Sequence, residues 1–187
     1  AISAFLFTIY TNDLNSISLK KTHIIKYADD TAIIGCIENN NSTEYTNCIH
    51  QVTQWCDDNY LLLNAKKTRE MIFDLRRNKN ISSTLQIKGE EILTCTDYKY
   101  LGVIIDNKLS FTKQINSAFK KANSRMYCLR VLNSIKFSND IKTHVFNAFI
   151  IPTITYAALA FYSISKTSLL MKTRRIEKWA ARLGAKG

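Results

Sequence analysis

Asp29 and Asp30 are adjacent carboxylates set between two short β-prone runs, residues 23–27 and 31–36. Aspartate is common in solvated turns, so adjacency alone says little. The flanks say more. Ile24-Ile25 on one side and Ala32, Ile33 and Ile34 on the other belong in a core sheet, which makes the pair the tip of a tight hairpin held by buried strands. Carboxylates fixed at such a tip suit hard divalent cations, which prefer oxygen ligands. Mg²⁺ keeps several waters and binds through one or two carboxylates together with substrate phosphates. That arrangement serves phosphoryl transfer, in which two metals about 4 Å apart stabilise the attacking and leaving oxygens. Two adjacent aspartates rarely serve both metals, so a third carboxylate on a neighbouring strand is expected. Asp13, Asp57, Asp58 and Asp74 are available, but Asp13 reads as helix-end solvation and Asp57-Asp58 as the end of a helix. None lies on a strand that flanks the hairpin, and the site reads as incomplete.

The surrounding elements follow from periodicity. Residues 3–14 read as a buried helix with Phe5 and Ile9, and Leu6 and Tyr10 beside them, at helical spacing. Asn41 followed by Glu44 resembles a capping box, opening a helix whose apolar face is Tyr45, Cys48, Ile49, Val52 and Trp55 or Cys56. Strands are expected at 70–75, 84–87 and 100–105, with Lys88-Gly89 as a hairpin turn. Ser110 then caps a long helix to about residue 134, with Phe111, Ile115, Ala118, Phe119, Ala122, Met126 and Leu129 as one apolar stripe. Lys113, Lys120, Lys121, Arg125 and Arg130 occupy its other faces. Further helices are expected near Ser138, after Pro152 and from about Lys166 to Leu183. The fold class is therefore α+β, with no internal repeat.

Charge divides the chain. Residues 1–106 carry 11 Lys/Arg against 13 Asp/Glu, and residues 107–187 carry 15 against 2, Asp140 and Glu177. Strands give way to helices at the same place, so the expected domains are 1–106 and 107–187. A basic half of this kind points to a polyanionic partner, nucleic acid or an anionic membrane surface. A merely soluble surface would mix the signs. Cys36, Cys48, Cys56, Cys95 and Cys128 lack zinc or redox spacing and read as reduced thiols of a nuclear or cytoplasmic protein. His23, His50 and His144 are scattered. The apolar run 150–164 contains Pro152 and is too short to span a membrane. The apolar start has neither a basic flank nor Met, which argues against a secretory signal and for a fragment.

Lys26-Tyr27-Ala28-Asp29-Asp30-Thr31 resembles the Tyr-x-Asp-Asp box of reverse transcriptases, in the Tyr-Ala-Asp-Asp form common in non-LTR retrotransposons. Several neighbours in the right order make the resemblance specific. Residues 3–14 look like the helix after the template-contacting motif, although Ala4 stands where the family usually has proline. Trp55 and the run Leu61-Leu62-Leu63-Asn64-Ala65-Lys66-Lys67-Thr68 are similar to the helix and Leu-Asn-x-x-Lys-Thr segment downstream of the box. Residues 98–106, from Tyr98 through Tyr100-Leu101-Gly102 to Asp106, resemble the primer-grip hairpin and its exit. Residues 140–183, with Pro152-Thr153-Ile154-Thr155-Tyr156 and the Arg175-Ile176-Glu177 helix, look like the region after the thumb. Retroviral enzymes, telomerase and group II intron maturases share the metal box, but the Tyr-Leu-Gly stretch and the tail favour the non-LTR, jockey-like group.

The resemblance implies an RNA-directed DNA polymerase using two Mg²⁺ ions, an RNA template, a DNA primer and deoxynucleoside triphosphates, with no membrane partner. Its antiparallel palm would be partial here, followed by a basic helical thumb and tail. Asp29 and Asp30 become metal ligands, and Lys67 the proton donor to departing pyrophosphate, against the equally plain reading of a solvated strand-end lysine. Tyr27 would pack beneath the primer end. Tyr100, Leu101 and Gly102 would position the primer backbone, with ordinary strand packing as the bland reading of the first two. Lys113, Lys120, Lys121, Arg125 and Arg130 would contact nucleic acid. The family's first catalytic aspartate, its fingers and its Gln-Gly motif lie upstream of the matched elements. The chain alone is therefore expected to be inactive; the alternative is a decayed transposon remnant that only binds nucleic acid.

Overall fold

The computed structural model describes residues 2–17, 20–74, 76 and 85–185. They form two compact units, residues 1–95 and 96–187. Helices and three small antiparallel hairpins make both, in agreement with the α+β expectation. The division falls ahead of the charge change at residue 107, because the hairpin 97–106 packs its Val103 and Ile105 onto the helical core that follows.

In the first unit, α1 (Ile2–Tyr10) and a 3₁₀ segment (Asn12–Ile17) lead into strands β1 (Thr22–Tyr27) and β2 (Asp30–Gly35). Helix α2 (Thr43–Asp58) buries Cys48, Ile49, Val52 and Cys56, the face that its spacing predicts. Cys48, Val52 and Cys56 close over Ile24 and Leu14, while Ile49 packs with Leu85, Ile87 and Ile92 around the hairpin β3 (Gln86–Ile87) and β4 (Glu90–Glu91). The Lys88-Gly89 turn has positive φ at both residues, 52° and 78°, as a type I′ turn requires. The predicted capping box does not form. Ser42 is the N-cap, Asn41 Oδ1 accepts from Thr43 N–H at 3.0 Å, and Glu44 instead accepts from Lys21 N–H at 2.8 Å.

Two sequence expectations fail in this unit. Helix α1 is not buried: Ile2, Phe5, Leu6 and Ile9 are each more than half exposed. Most of its residues are apolar, and the adjoining 3₁₀ segment covers only part of it. Residues 70–75 do not form a strand. Glu70 makes only an isolated parallel bridge to Thr94, residues 71–74 are irregular, and Leu75 lies outside the described residues, as does Thr84 of the expected strand 84–87.

Strands β5 (Asp97–Tyr100) and β6 (Val103–Asp106) open the second unit. One strand is predicted over 100–105, yet Leu101 and Gly102 turn the chain back with φ of 46° and 83°. Asp106 then organises the exit: its carboxylate accepts from Lys108 N–H, Ser110 N–H and Phe111 N–H, and from Ser110 Oγ. Burial pushes this carboxyl up, but these hydrogen bonds outweigh burial and hold it below the usual range. Phe111, with φ of 52°, rather than Ser110 is the residue before helix α3 (Thr112–Ser134).

The predicted apolar stripe of α3 is buried along its whole length, from Phe111 to Leu129. It packs on Phe146, Ile150, Ile154, Phe161, Leu169 and Ile176. Helix α4 (Asn139–Val145) begins at Ser138 as expected, but no new helix waits for Pro152. A π-helical turn, Phe146–Ile150, carries the chain into α5 (Ile151–Thr155) with Pro152 in its first turn. The wider turn accommodates a residue that cannot donate a backbone hydrogen bond. Helix α6 (Ala158–Arg182) is interrupted at Ser165, so its second half starts where a helix from Lys166 is predicted. Among the described residues no single helix is long and apolar enough to cross a membrane.

Gly184, at φ 82°, ends α6. Ala185 N–H reaches Ala180 C=O and Gly184 N–H reaches Ala181 C=O, each at 3.0 Å, the paired bonds of a Schellman cap. Buried Lys142, bonded to Asn133 Oδ1 at 3.1 Å, brings its ammonium to this carbonyl-rich end. A Cβ on Gly184 would stand 2.5 Å from Asn139 Oδ1 and 2.8 Å from Lys142 Nζ. Gly184→Ala should therefore destabilise the second unit by about 2 kcal/mol, from the left-handed backbone and the displaced Lys142 together. Denaturant unfolding checks this; an unchanged midpoint would show that the cap contributes nothing.

Glu70 gives a second prediction. Its carboxylate is buried, with Thr94 Oγ1 at 3.5 Å. Burial raises its pKa, and hydrogen bonds from Thr94 and Tyr45 offset this only in part. Burial and the nearby Glu70 also push the Tyr45 hydroxyl up, which keeps it a donor. An acid whose folded pKa is raised favours folding below its unfolded value, and that contribution is lost as pH rises through the folded value. Glu70→Gln should raise the melting temperature at pH 8, with the gain vanishing below about pH 4. A variant less stable than wild type at pH 8 would show that the ionised carboxylate is needed.

Candidate metal and nucleic-acid sites

The β1–β2 register places the aspartates. Tyr27 pairs with Asp30, leaving Ala28 and Asp29 as a two-residue turn. Ala28 occupies the left-handed region at φ 53°, a conformation that costs a residue with a Cβ roughly 1–2 kcal/mol. Strand alternation sends Ile24 and Lys26 inward, and His23, Ile25 and Tyr27 outward. Asp30, opposite Tyr27, shares that outward face, and Asp29 stands at the tip. Lys26 fixes the hairpin from below: its ammonium hydrogen-bonds Thr11 C=O and lies 3.1 Å from Thr11 Oγ1 at the end of α1. Tyr10 Oη donates to Asn59 C=O at 2.6 Å and ties the same end of α1 to the end of α2.

The outward face is not buried, although the apolar runs on either side of the turn are expected to belong in a core sheet. Ile25, Tyr27 and Ile34 are about half exposed or more. Two strands alone have only one face on the core.

Among the described residues no hydrogen bond or ion pair engages the side-chain carboxylate of Asp29 or Asp30, and no third Asp, Glu, His or Cys joins them in a metal-sized group. The other carboxylates are committed elsewhere. Asp13 accepts from Trp55 Nε1 at 3.2 Å, Asp57 pairs with Lys88, Asp58 accepts from Gln54 Nε2 at 2.9 Å, and Asp74 pairs with Arg76. The donor set at the tip, two accessible carboxylates with no cation beside them, fits a hard divalent ion that keeps its remaining waters.

Lys67 is exposed, in a turn where its N–H reaches Asn64 C=O and Oδ1, both at 3.1 Å. Its side chain makes no contact with either aspartate in this structure.

The second site region lies in the second unit. The Leu101-Gly102 turn is gripped by a residue that the sequence places in the Pro152–Tyr156 run but does not link to this turn. Tyr156 Oη donates to Leu101 C=O at 2.7 Å, and a Cβ on Gly102 would meet the Tyr156 ring at 3.3 Å. The close approach that Gly102 permits is therefore to Tyr156. Tyr100 is half-buried beside it.

The α3 cations separate into two groups. Lys113 pairs with Asp97. Arg125 donates to Phe149 C=O at 2.8 Å and to Thr153 Oγ1, and stacks 4.3 Å above the Phe149 ring. Arg130 sits over Tyr127 and Trp179 at 5.7 and 5.6 Å. Lys120 and Lys121 are exposed and unpaired among the described residues. Lys120 lines a groove with Lys172 and Arg175 of α6, residues that a helical wheel of α3 alone could not bring to it.

The reverse transcriptase (RNA-dependent DNA polymerase) family matches residues 1–105, the segment holding both the aspartate hairpin and β5–β6. The chain is 25% identical, over 92% of its length, to an RNA-directed DNA polymerase from mobile element jockey of Drosophila melanogaster, covering 20% of that protein. It is 26% identical to the Drosophila funebris counterpart over 92% of the chain and 20% of the relative. To a probable RNA-directed DNA polymerase from transposon BS of Drosophila melanogaster it is 24% identical, over 75% of the chain and 16% of the relative. The chain thus spans about a fifth of the length of these curated relatives. No solved structure matches it significantly. With more than half of its residues matched, and paired carboxylates at the tip of its first hairpin, the chain belongs to the reverse transcriptase family, in likeness to its jockey-type, non-LTR members.

Proposed function

We propose that this chain is a segment of an RNA-directed DNA polymerase of a non-LTR mobile element, contributing the Asp29-Asp30 part of a two-metal nucleotidyl-transfer site. The observation that carries this reading is the turn itself: two carboxylates, free of cations, in a fixed register within the matched segment. Mg²⁺ is the ion proposed. Bound there, it would stabilise charge on the attacking and leaving oxygens of the transfer. Asp29 and Asp30 would supply carboxylate oxygens to it. Tyr27, outward beside Asp30, would support the primer end, and the Tyr100-Leu101-Gly102 turn, held by Tyr156, would carry the primer backbone. Lys67 would donate a proton to departing pyrophosphate, and the exposed cations of α3 would contact the RNA template–DNA primer duplex. Deoxynucleoside triphosphates are the proposed co-substrates. Residues 1–106 would belong to the palm and 107–187 to a basic helical thumb.

These 187 residues alone are proposed not to polymerise, because no third Asp, Glu, His or Cys joins the two carboxylates among the described residues, and the family's nucleotide-orienting fingers lie upstream of the matched elements. Orientation by itself can be worth roughly 7–11 kcal/mol of barrier. Purified chain with Mg²⁺, primer–template and nucleotides should show no extension. Joined to the region that precedes the matched segment in a jockey relative, it should extend a DNA primer on RNA. Asp29→Asn should abolish that activity with duplex binding intact, whereas Lys67→Ala should slow it by about 10²–10⁴-fold. Extension surviving Asp29→Asn would remove Asp29 from the chemistry. A folded fusion inactive with two different donors would favour a decayed remnant that only binds nucleic acid.

A further inference from the structure

Glu70 is a buried carboxylate that the polymerase reading leaves without a task. Its backbone is locked on both sides: Glu70 N–H donates to Leu93 C=O at 3.2 Å, and Cys95 N–H donates to Glu70 C=O at 2.8 Å. This isolated bridge is the last fixed point before the irregular residues 71–74. Just upstream lies the turn that carries Lys67. Asn64 C=O accepts from Lys67 N–H at 3.1 Å and from Thr68 N–H at 3.0 Å, while Leu63 and Ala65 pack on Ile49, Leu85, Ile87 and Ile92. No helix or strand runs through residues 61–74, so the bridge at Glu70 pins the downstream end of this turn. Around the carboxyl stand Tyr45 of α2, with Cys48 one turn further along, and Thr94 at 3.5 Å, followed by Cys95. Arg69, next to it in sequence, turns its guanidinium to the carbonyls of Lys66 and Thr68, both at 2.7 Å. Among the described residues no cation pairs with Glu70.

We propose that Glu70 is a positioning residue for Lys67 and works as a proton-operated latch. With a neutral carboxyl the bridge to Leu93 and Cys95 stays shut; with an ionised one it opens and frees the Lys67 turn. The physical reason is local. A charge held out of water by two hydroxyl donors and no cation is unfavourable. Opening one short bridge relieves it with far less rearrangement than unfolding the unit. Tyr45 stays a donor throughout, because burial and the nearby Glu70 push its hydroxyl up. Burial likewise raises the Glu70 carboxyl in the closed form, so ionisation favours the open one. Opening then grows by up to about tenfold per pH unit above the ordinary glutamate value near 4.3, and levels off above the folded value. The purpose of the latch rests on the polymerase reading of Lys67, whereas its opening can be measured without any polymerase activity.

The test is amide hydrogen exchange of the whole ¹⁵N-labelled chain, expressed as protection factors between about pH 4 and about pH 8. In the wild type, protection of Lys67, Thr68, Glu70 and Cys95 should fall on the order of tenfold across that range. At the upper end it should lie at least about tenfold below that of Val52 in α2, as opening of one bridge rather than of the unit requires. Glu70→Gln, which is neutral at every pH, should keep the low-pH protection throughout. Tyr45→Phe keeps the ring and removes a donor to the ionised carboxylate, so it should deepen the loss at pH 8 and change nothing at pH 4. That variant carries the test should Glu70→Gln misfold. A Lys67→Ala enzyme of full activity would remove Lys67 from the chemistry and leave these protection factors as they are. Protection independent of pH in the wild type, or an equal loss in Glu70→Gln, would overturn the latch. So would a loss confined to Glu70 and Cys95 with Lys67 and Thr68 unmoved, because the bridge would then not hold the turn.

Discussion

Everything proposed for the first unit depends on the pairing of Tyr27 with Asp30. That register sets a two-residue turn, puts Asp29 at the tip and sends Asp30 to the same face as Tyr27. A slip of one residue would turn Ile24 out of the core and bring Tyr27 in, because side chains alternate across the pleat. The core prevents this. Ile24 lies against Cys48, Val52 and Cys56 of α2, and Lys26 is bonded to the end of α1. The strain of Ala28 in the left-handed region is held by this surrounding structure, and among the described residues no cation pairs with the two carboxylates. Negative charge without a partner is tolerable at an accessible tip and becomes useful when a divalent ion arrives.

The second unit solves a different problem. Its core is one long stripe on α3, closed by α4, the π-helical turn, α5 and α6. That packing leaves two products on its surface. One is the Leu101-Gly102 turn held by Tyr156, in which the glycine tolerates both a positive φ and an aromatic ring against its α-carbon. The other is a groove whose cations come from two helices far apart in sequence. Arg125 and Arg130 are spent on internal packing and hydrogen bonds, which is a common fate of a long cationic side chain beside aromatic rings.

What could be read from the residues was periodic or local. The α2 face, the α3 stripe, the Ser138 start, the Lys88-Gly89 turn and the aspartate hairpin all follow from spacing and turn chemistry. What could not be read depended on partners distant in sequence. Residues 2–10 have a burial-like composition, yet burial requires a neighbour and the pattern names none. Tyr100 to Ile105 has strand character throughout, so periodicity gives one strand. The hairpin comes only with the family resemblance, and its turn places Leu101 at a positive φ that a residue with a Cβ rarely adopts. Pro152 signals a helix start, but a π turn can absorb it. Lys172 and Arg175 join Lys120 only after α6 folds back along α3.

The central claim is that Asp29 and Asp30 form a divalent-metal half-site by virtue of that turn. Titrating the ¹⁵N-labelled chain with Mn²⁺ and following paramagnetic broadening of its amide signals tests this without any polymerase activity. The account predicts broadening centred on Tyr27 to Thr31, lost in Asp29→Asn and competed by Mg²⁺. Broadening centred on Asp57-Asp58 or Glu90-Glu91, with the hairpin tip untouched, would contradict it.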